Sequence, residues 1–356
     1  MLKRTLLVVA LIVPALMRAE VVGPVIVSKL PQAEALPRPV ELSLPSAAKR
    51  ATGDSQPSAE RTPPASAAPS NPASSAAPAF VEFDEDALSR RRALRLRSAA
   101  ALVVDQQEGQ LLYAKNTDAV MPIASITKLM TAMVVLDSGL PLEDLVTIEP
   151  ADVDLLKGTR SRLKVGMTLT RRELMKLALM ASENRAAAAL ARNHPGGSVA
   201  FVEAMNQKAA NLGMRDTRFL DATGLNPGNV STAQDLAIMV NAGYQYPLIR
   251  EFTTSDSHRI ALTQRRYARV VSFRNSNGLV RSKHWEIGLS KTGYISEAGR
   301  CLVMQATIAA KPVIIVLLDS WGKLSRIGDA NRIKRWVEGL VFGGPPAGVA
   351  HKAHMG

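Results

Sequence analysis

Apolar and polar positions alternate in blocks that predict a folded region beginning near residue 100. The runs 101–104 and 110–113, joined by a turn that ends in Gly109, are typical of a β-hairpin. From about 170 to 250 the apolar positions mostly recur at helical spacing. Beyond about residue 286, short turns separate three apolar runs that predict strands, at 287–294, 301–309 and 313–320.

Two further helices are indicated by residues at their ends. One is predicted from about Ser125 to Leu136, with Gly139 as a stop, and the other from about Ser325 to Leu340. Capping boxes are predicted for Thr170 with Glu173 and for Ser231 with Gln234. The order of strands, helices, strands and a final helix predicts an α+β fold, in which an antiparallel sheet is flanked by helices and joined to a helical subdomain.

The chain outside this folded region divides by composition. Residues 1–19 have the layout of a signal peptide, since Lys3 and Arg4 precede an apolar run too short for a comfortable membrane span, and an uncleaved anchor is the alternative. Residues 20–80 are rich in Pro, Ala and Ser, which predicts a disordered linker, with a processed pro-segment as the alternative. The predicted order continues with a charged lead-in over 81–99, the folded domain over 100–343 and a disordered tail over 344–356.

Charge narrows the range of partners only slightly. The formal net charge is +13, and it falls by three to +10 if Lys3, Arg4 and Arg18 leave with the signal peptide. Such a charge favours nucleic acid, anionic lipid or a carboxylate-rich polymer without choosing among them. Acidic residues followed by arginines between 82 and 97 predict a solvated helix rather than a nucleic-acid arm, because no recognition motif accompanies the arginines.

Cysteine and histidine usage gives two further expectations. Cys301 is the single cysteine of the sequence, so no disulfide can form within the chain, and its apolar neighbours predict a buried structural thiol. The five histidines lack metal-ligand spacing, so we expect no metal site.

Three short motifs carry candidate chemistry. They are Ser125-Ile126-Thr127-Lys128, Ser182-Glu183-Asn184 and Lys291-Thr292-Gly293. The first is weak by itself, because Ser46-Ala47-Ala48-Lys49 repeats it inside the predicted linker. Ser125, however, opens a predicted helix behind a hairpin, and the third motif lies on a predicted strand. In this order and in these settings, the motifs match the S-x-x-K, S-x-N and K-T-G elements of penicillin-binding proteins and serine β-lactamases.

The spacing of the first motif predicts a serine nucleophile with a lysine base. Positions i and i+3 share a helix face, so the amine of Lys128 can lie beside the hydroxyl of Ser125. A serine attacks only after a base takes its proton, and a lysine serves as that base only when it is neutral. Burial and a like charge both lower the pKa of a lysine, and we expect Lys291 to supply the like charge.

The second motif is predicted to transfer protons and to hold substrate. Ser182 and Asn184 lie where two helical runs meet, so the hydroxyl can pass a proton to a leaving amine and the amide can hold a substrate carbonyl. An N-cap for the second helix is the alternative role for either residue.

The third motif is predicted to line the substrate. Gly293 would let a substrate strand approach closely, while Lys291 and Thr292 would hold a carboxylate next to the scissile bond. The backbone N–H groups of Ser125 and Tyr294 are the candidates for an oxyanion hole.

Longer stretches around the motifs extend the match. The sequence resembles the D-alanyl-D-alanine endopeptidases, low-molecular-weight penicillin-binding proteins that are related to the D-alanyl-D-alanine carboxypeptidases. The similarity runs from about residue 100 to 340 and is carried by residues 121–125, 129–137, 177–188, 194–197 and 229–233. By position, it implies Ser125 as acylated nucleophile, Lys128 as its base, Ser182 as proton relay, and Asn184, Lys291, Thr292 and Gly293 as substrate-binding residues.

The resemblance also implies a fold and a setting. The fold would be β-lactamase/DD-transpeptidase-like, and the protein a periplasmic serine peptidase without a cofactor. The substrate in this family is the bond between D-Ala and meso-diaminopimelate in cross-linked peptidoglycan. We therefore expect peptidoglycan peptides and β-lactam inhibitors as partners and no nucleic acid, while peripheral association with the inner membrane stays open.

Three other functions compete with this interpretation. A D-alanyl-D-alanine carboxypeptidase is the alternative among enzymes. A β-lactamase is disfavoured, because no segment resembles the Glu-bearing loop of that class. A non-catalytic wall-binding or β-lactam-sensing protein is the alternative from another class, and the intact pair of Ser125 and Lys128 argues against it.

Overall fold

The computed structural model describes residues 94–264 and 267–341, with side chains outside 262–269. The predictions for residues 1–19, 20–80 and 344–356 lie outside the described residues, as does most of the lead-in segment 81–99. None of the helices in the described ranges is long and apolar enough to cross a bilayer.

Strands and helices follow one another in the predicted order. The strands are β1 (Ser98–Asp105), β2 (Leu111–Lys115), β3 (Met121–Pro122), β4 (Leu145–Thr147), β5 (Thr168–Thr170), β6 (Val230–Ser231), β7 (Ser257–Gln264), β8 (Tyr267–Arg274), β9 (Glu286–Ile295), β10 (Gly299–Ile308) and β11 (Lys311–Ser320). The α-helices are α1 (Lys128–Asp137), α2 (Arg171–Met180), α3 (Asn184–Arg192), α4 (Gly197–Asn211), α5 (Ala233–Tyr244), α6 (Pro247–Thr254) and α7 (Ser325–Val341). The α+β class is therefore confirmed.

The main sheet is antiparallel and has five strands. Its order is β2-β1-β11-β10-β9, so it contains the predicted hairpin and the three predicted C-terminal strands. Pairing of β1 with β11 joins the two ends of the domain, since Val103 lies opposite Ile315. Strand β9 forms one edge of this sheet and carries the Lys291-Thr292-Gly293 motif.

Both faces of the sheet are buried. On β1, Leu102 and Val104 belong to the core that the sheet shares with α1 to α6. Ala101 and Val103, which point to the other face, pack with Ile333 of α7 in a second core. A strand covered on both faces has a continuous apolar sequence rather than an alternating one, as β1 does.

Residues 94–97, where the charged lead-in ends, have no regular secondary structure, so the predicted solvated helix is wrong for them. Leu94 and Leu96 are buried in the core beneath α7. The Tyr113 hydroxyl donates a hydrogen bond to the carbonyl of Leu94, and the amine of Lys115 donates one to the carbonyl of Leu96. Burial of alternate leucines outweighs the arrangement of charges that favoured a helix.

One predicted helix start is confirmed and another is wrong. The capping box at the start of α2 is present. Ser231 does not cap α5 with Gln234, because Ser231 is paired with β3 as part of β6. Thr232 caps the helix instead, since its hydroxyl accepts a hydrogen bond from the N–H of Asp235.

The hairpin of β7 and β8 was not predicted from the sequence. Ile260 and Phe273 are buried, but Val270 is exposed, so apolar residues do not mark one face of the hairpin. When few side chains of a strand point into the core, the alternation of apolar and polar residues is too weak to predict the strand.

Candidate active site

The first motif forms the centre of the site. Ser125 lies in a 3-10 turn, Ala124–Thr127, and Lys128 follows as the first residue of α1. The predicted helix therefore begins three residues after Ser125, but residues i and i+3 of a 3-10 turn also lie above one another. The amine of Lys128 is 2.8 Å from Ser125 Oγ.

Two glycines let neighbouring segments close on the backbone around Ser125. A Cβ on Gly224, which has φ +79°, would lie 1.9 Å from the carbonyl oxygen of Ala124. A Cβ on Gly293 of β9 would lie 2.8 Å from the carbonyl oxygen of Ile123. Gly293 was expected to let a substrate approach β9 closely, and contact of its backbone with substrate stays a prediction. In the structure the turn that carries Ser125 fills the space that a side chain at Gly293 would take.

Burial is the main influence on the pKa of Lys128, which has no exposed surface. Burial lowers its pKa from 10.5 to about 7, while the carboxylates of Asp221 and Glu183 act in the opposite direction. A lysine with such a pKa is partly neutral at neutral pH and can accept a proton. Repulsion between the protonated amines of Lys128 and Lys291 is mutual, so the expected like charge is present, although burial is the main cause of the lowered pKa of Lys128.

Lys291 of the third motif lies beside Ser182 of the second motif. Lys291 is also buried, and its amine donates hydrogen bonds to Ser182 Oγ and to the carbonyl of Thr292, both at 2.9 Å. Burial lowers the pKa of Lys291 well below its ordinary value, and repulsion from Lys128 and Arg326 lowers it further. Ser182 has φ +60°, a strained backbone that turns its hydroxyl toward this amine.

Asn184 connects the second motif to the first. Its Oδ1 accepts a hydrogen bond from the Lys128 amine at 2.7 Å, and its Nδ2 donates one to Thr159 Oγ1 at 2.9 Å. The N-cap of α3 is Glu183, without a capping hydrogen bond from its side chain. The N-cap alternative is therefore wrong for Ser182 and Asn184, whose polar atoms face lysine amines.

The remaining predicted residues lie along β9. Thr292 Oγ1 donates a hydrogen bond to Ser276 Oγ at 2.7 Å. The ring of Tyr294 is turned outward, and the guanidinium of Arg300 lies 4.5 Å from the ring centroid. The structure thus brings all three motifs together between α1, the start of α3 and the edge of the sheet.

A loop that the sequence did not assign to the site supplies a third acceptor for Lys128. The carbonyl of Thr223 lies 2.6 Å from the amine, although it is 95 positions away in the chain. The loop is folded around Asp221, whose carboxylate accepts hydrogen bonds from the N–H groups of Thr223, Gly224 and Asn226. Its Asp, Asn and Gly residues indicate a turn, but no spacing relates them to Lys128.

Arg326 of α7 is a second residue that the motifs did not reveal. Its guanidinium donates hydrogen bonds to the carbonyl of Gly293 at 3.0 Å and to that of Cys301 at 3.3 Å. It therefore places a half-buried positive charge against β9. Across the described ranges, no three His, Cys, Asp or Glu side chains lie close enough together to hold a metal ion.

This arrangement suits acyl transfer. A hydroxyl beside a buried amine that titrates near neutrality is a nucleophile with its base, and a second hydroxyl beside a second amine can carry a proton. The sequence profile of Peptidase S11, described as D-alanyl-D-alanine carboxypeptidase, matches residues 87–322. The chain belongs to this peptidase family.

Curated relatives of the S11 protein agree with the resemblance found in the motifs. A D-alanyl-D-alanine endopeptidase of Pseudomonas aeruginosa is 50% identical over 258 residues, which cover 72% of this chain and 83% of the relative. The D-alanyl-D-alanine endopeptidase of Escherichia coli K12 is 44% identical with the same coverage. The S11 protein is thus a serine-type D-Ala-D-Ala peptidase.

Solved structures show the same fold. The Streptomyces K15 DD-transpeptidase is 30% identical with a TM-score of 0.64, and the match covers 68% of this chain and 97% of that one. Penicillin-binding protein D2 of Listeria monocytogenes, solved in its ampicillin-bound form, is 30% identical with a TM-score of 0.58 over 68% of this chain and 98% of that one. The predicted DD-transpeptidase-like fold is confirmed.

Proposed function

We propose that this S11 protein is a peptidoglycan DD-endopeptidase, which hydrolyses the bond between D-Ala and meso-diaminopimelate through an acyl-enzyme on Ser125. Lys128 is the general base and Ser182 relays the proton. Asn184, Lys291, Thr292 and Gly293 bind substrate, and the backbone N–H groups of Ser125 and Tyr294 stabilise the oxyanion.

One observation carries the proposal. The amine of Lys128 is 2.8 Å from Ser125 Oγ, and burial lowers its pKa to about 7. Its other two neighbours, Asn184 Oδ1 and the carbonyl of Thr223, are acceptors at 2.7 and 2.6 Å. A neutral amine can give its two N–H groups to these acceptors and turn its lone pair toward the serine hydroxyl.

The acylation step follows from this geometry. Ser125 Oγ attacks the carbonyl carbon of D-Ala while its proton passes to the amine of Lys128. The negative charge on the carbonyl oxygen is held by two backbone N–H groups. As the C–N bond breaks, the proton held by Lys128 passes by way of Ser182 to the leaving amine, which returns Lys128 to its neutral form. The hydroxyl of Ser182 is held for this relay by a 2.9 Å hydrogen bond from the amine of Lys291.

Hydrolysis of the acyl-enzyme completes the cycle. A water molecule gives a proton to Lys128 and attacks the ester carbon, and the departing Ser125 Oγ takes a proton back. The products are a peptide that ends in D-Ala and a free amine on meso-diaminopimelate. The carbon bearing that amine carries a free carboxylate, which Lys291 and Thr292 would hold on the leaving side of the bond.

The setting of this reaction is also part of the proposal. The predicted signal peptide over residues 1–19 would deliver the protein to the periplasm, where peptidoglycan is found. The ampicillin-bound relative supports β-lactams as covalent inhibitors of Ser125.

Digestion of defined wall fragments tests the substrate. The purified protein is incubated with cross-linked dimeric muropeptides and, separately, with pentapeptide monomers. We expect monomeric tetrapeptides to appear from the dimers. Release of free D-Ala from pentapeptides, with dimers left intact, would instead assign the protein as a carboxypeptidase, which is the description of the S11 profile.

Labelling with a fluorescent penicillin tests the nucleophile. We expect Ser125→Ala to abolish covalent labelling with no loss of folded structure by circular dichroism. Ser46→Ala is the matched control, because Ser46 opens another S-x-x-K match, which lies in the predicted linker, and should leave labelling unchanged. Persistent labelling of Ser125→Ala would refute the assignment.

A further inference from the structure

The amine of Lys128 has three oxygen neighbours within hydrogen-bond distance. They are Ser125 Oγ at 2.8 Å, Asn184 Oδ1 at 2.7 Å and the carbonyl of Thr223 at 2.6 Å. A neutral amine has two N–H groups and one lone pair, and a carbonyl can only accept, so Thr223 takes one N–H. The lone pair faces Ser125 only if Asn184 takes the other N–H through its oxygen.

The hydrogen bond of the Asn184 amide nitrogen, on the side that faces away from Lys128, fixes the orientation of this amide. Its Nδ2 donates a hydrogen bond to Thr159 Oγ1 at 2.9 Å, and the Thr159 hydroxyl donates one to Asp154 Oδ2 at 2.6 Å. A hydroxyl has a single proton, so once that proton is given to Asp154 the oxygen of Thr159 can only accept. If the amide were reversed, its oxygen would face Thr159 Oγ1, and neither oxygen could donate a hydrogen bond to the other.

Asp154 is kept as a carboxylate by the turn that it organises. Its Oδ1 accepts hydrogen bonds from the N–H groups of Leu156 and Lys157, and its Oδ2 accepts one from the N–H of Thr159. Burial raises the pKa of Asp154, but these hydrogen bonds and that from the Thr159 hydroxyl outweigh burial and lower it. Lys157 also forms an ion pair with Glu297, which ties the turn to the connection between β9 and β10.

We propose that Asp154 and Thr159 are positioning residues, which orient the amide of Asn184 and thereby direct the lone pair of Lys128 at the hydroxyl of Ser125. The inference rests on the proposed function, in which Lys128 is the base. Both residues lie outside the three motifs. They act through Asn184, whose two polar atoms connect the turn to the amine.

Titration of Lys128 tests the inference without relying on activity. Thr159→Val removes the acceptor of Asn184 and frees the amide to rotate, so protonated Lys128 loses a fixed acceptor. We expect its pKa to fall by roughly one unit, because a hydrogen bond to the charged form favours that form. Thr159→Ser retains the hydroxyl and should leave the pKa unchanged. The titration is followed by NMR of ¹³C-labelled lysine, with the Lys128→Met spectrum as the assignment.

Acylation by a fluorescent penicillin across the pH range around neutrality gives the second readout. We expect Thr159→Val to lower the plateau rate constant about 10- to 100-fold and to move the acidic limb to lower pH, with both restored in Thr159→Ser. Thr147→Val is the matched control, because it removes a hydroxyl from the exposed pair of Thr147 and Thr168 on β4 and β5.

The outcomes separate this inference from the function on which it rests. An unchanged Lys128 pKa in Thr159→Val, or an equal fall in Thr159→Ser, overturns the positioning role whatever the activity. A wild-type protein that penicillin does not acylate, combined with the expected pKa shift in Thr159→Val, would count against the proposed function and leave the positioning role standing.

Discussion

The candidate active site has a helical side and a sheet side, and each contributes one buried lysine. Lys128 on α1 has three oxygen neighbours, and the carboxylates of Asp221 and Glu183 partly offset the effect of burial on its pKa. Lys291 on β9 has two oxygen neighbours, and the nearby charges of Lys128 and Arg326 add to the effect of burial.

Burial is the main cause of the lowered pKa at both amines, and the sign of the nearby charges is what distinguishes them. Burial lowers the pKa of Lys128 to about 7 against the opposing effect of two carboxylates, so this amine can both accept and release a proton at neutral pH. Cations disfavour a proton on Lys291, so this amine gains most from a ligand that brings a negative charge.

The largest effect is expected on the helical side. Lys128→Met removes the base, so the rate constant of acylation by a fluorescent penicillin should fall roughly 10²- to 10⁴-fold. In the wild-type protein the same rate constant should rise with pH through about 7, because the neutral fraction of Lys128 increases there. Lys334→Met on α7, a lysine paired with Glu338, should leave both the rate and its pH dependence unchanged.

Unfolding measurements show whether the loss comes from misfolding. The folded-state pKa of Lys128 is lowered, so its protonated form opposes folding fully below pH 7, and this opposition fades as pH rises toward the unfolded value of 10.5. Lys128→Met should therefore raise the free energy of unfolding at pH 7, by about 1–3 kcal/mol after the lost hydrogen bonds are subtracted. The gain should shrink as pH rises, and a large loss of stability at pH 7 would contradict this account.

Substitution of the two glycines beside Ser125 compares the rigidity of the two sides. Gly224→Ala adds a Cβ at 1.9 Å from a carbonyl oxygen and forces alanine to φ +79°, so we expect it to cost about 3–5 kcal/mol of stability. Gly293→Ala meets its nearest atom at 2.8 Å without an unfavourable φ, so about 1–3 kcal/mol is expected. Urea denaturation measures both costs.

Gly213→Ala is the matched control for the glycine on the helical side. Gly213 also has φ +79°, but a Cβ there would meet nothing within 4 Å. Its substitution isolates the backbone strain, for which about 1–2 kcal/mol is expected. If Gly224→Ala cost no more than Gly213→Ala, the close approach of the loop to the serine turn would be unimportant for stability.

Sequence patterns predicted the structural features that depend on residues close to one another in the chain. The strands of the main sheet have apolar runs long enough to identify, and Cys301 is buried as expected, with a pKa raised to about 11 by burial. The pairing of Ser125 with Lys128 needs only one helical turn. These features are local, so spacing and composition suffice to find them.

The missed features depend on contacts between distant segments. Thr223 reaches Lys128 through a loop folded on Asp221, and Thr159 reaches Asn184 from a separate turn. Pattern analysis finds such turns but cannot say where they pack. The opposing effect of Asp221 and Glu183 on the pKa of Lys128 was also not predicted, because the positions of nearby charges are properties of the folded chain.

The smallest effect is expected on the sheet side, as proton uptake when an anionic ligand binds. Burial and neighbouring cations lower the pKa of Lys291, so a negative charge placed beside its amine should favour proton uptake there. A β-lactam carboxylate beside the amine should raise that pKa, so binding to Ser125→Ala should take up a fraction of a proton, with about one as the upper limit. Calorimetry at pH 7 in two buffers of different ionisation enthalpy measures this uptake.

A second substitution in the Ser125→Ala background assigns the proton to one side of the site. Uptake should vanish in Lys291→Met and persist in Lys128→Met, because the carboxylate is expected beside β9. It should also fade as the pH is lowered, since an amine that already carries its proton has none to gain. Uptake that survives Lys291→Met but not Lys128→Met would move the responsive amine to the helical side and reverse the assignment of the two lysines.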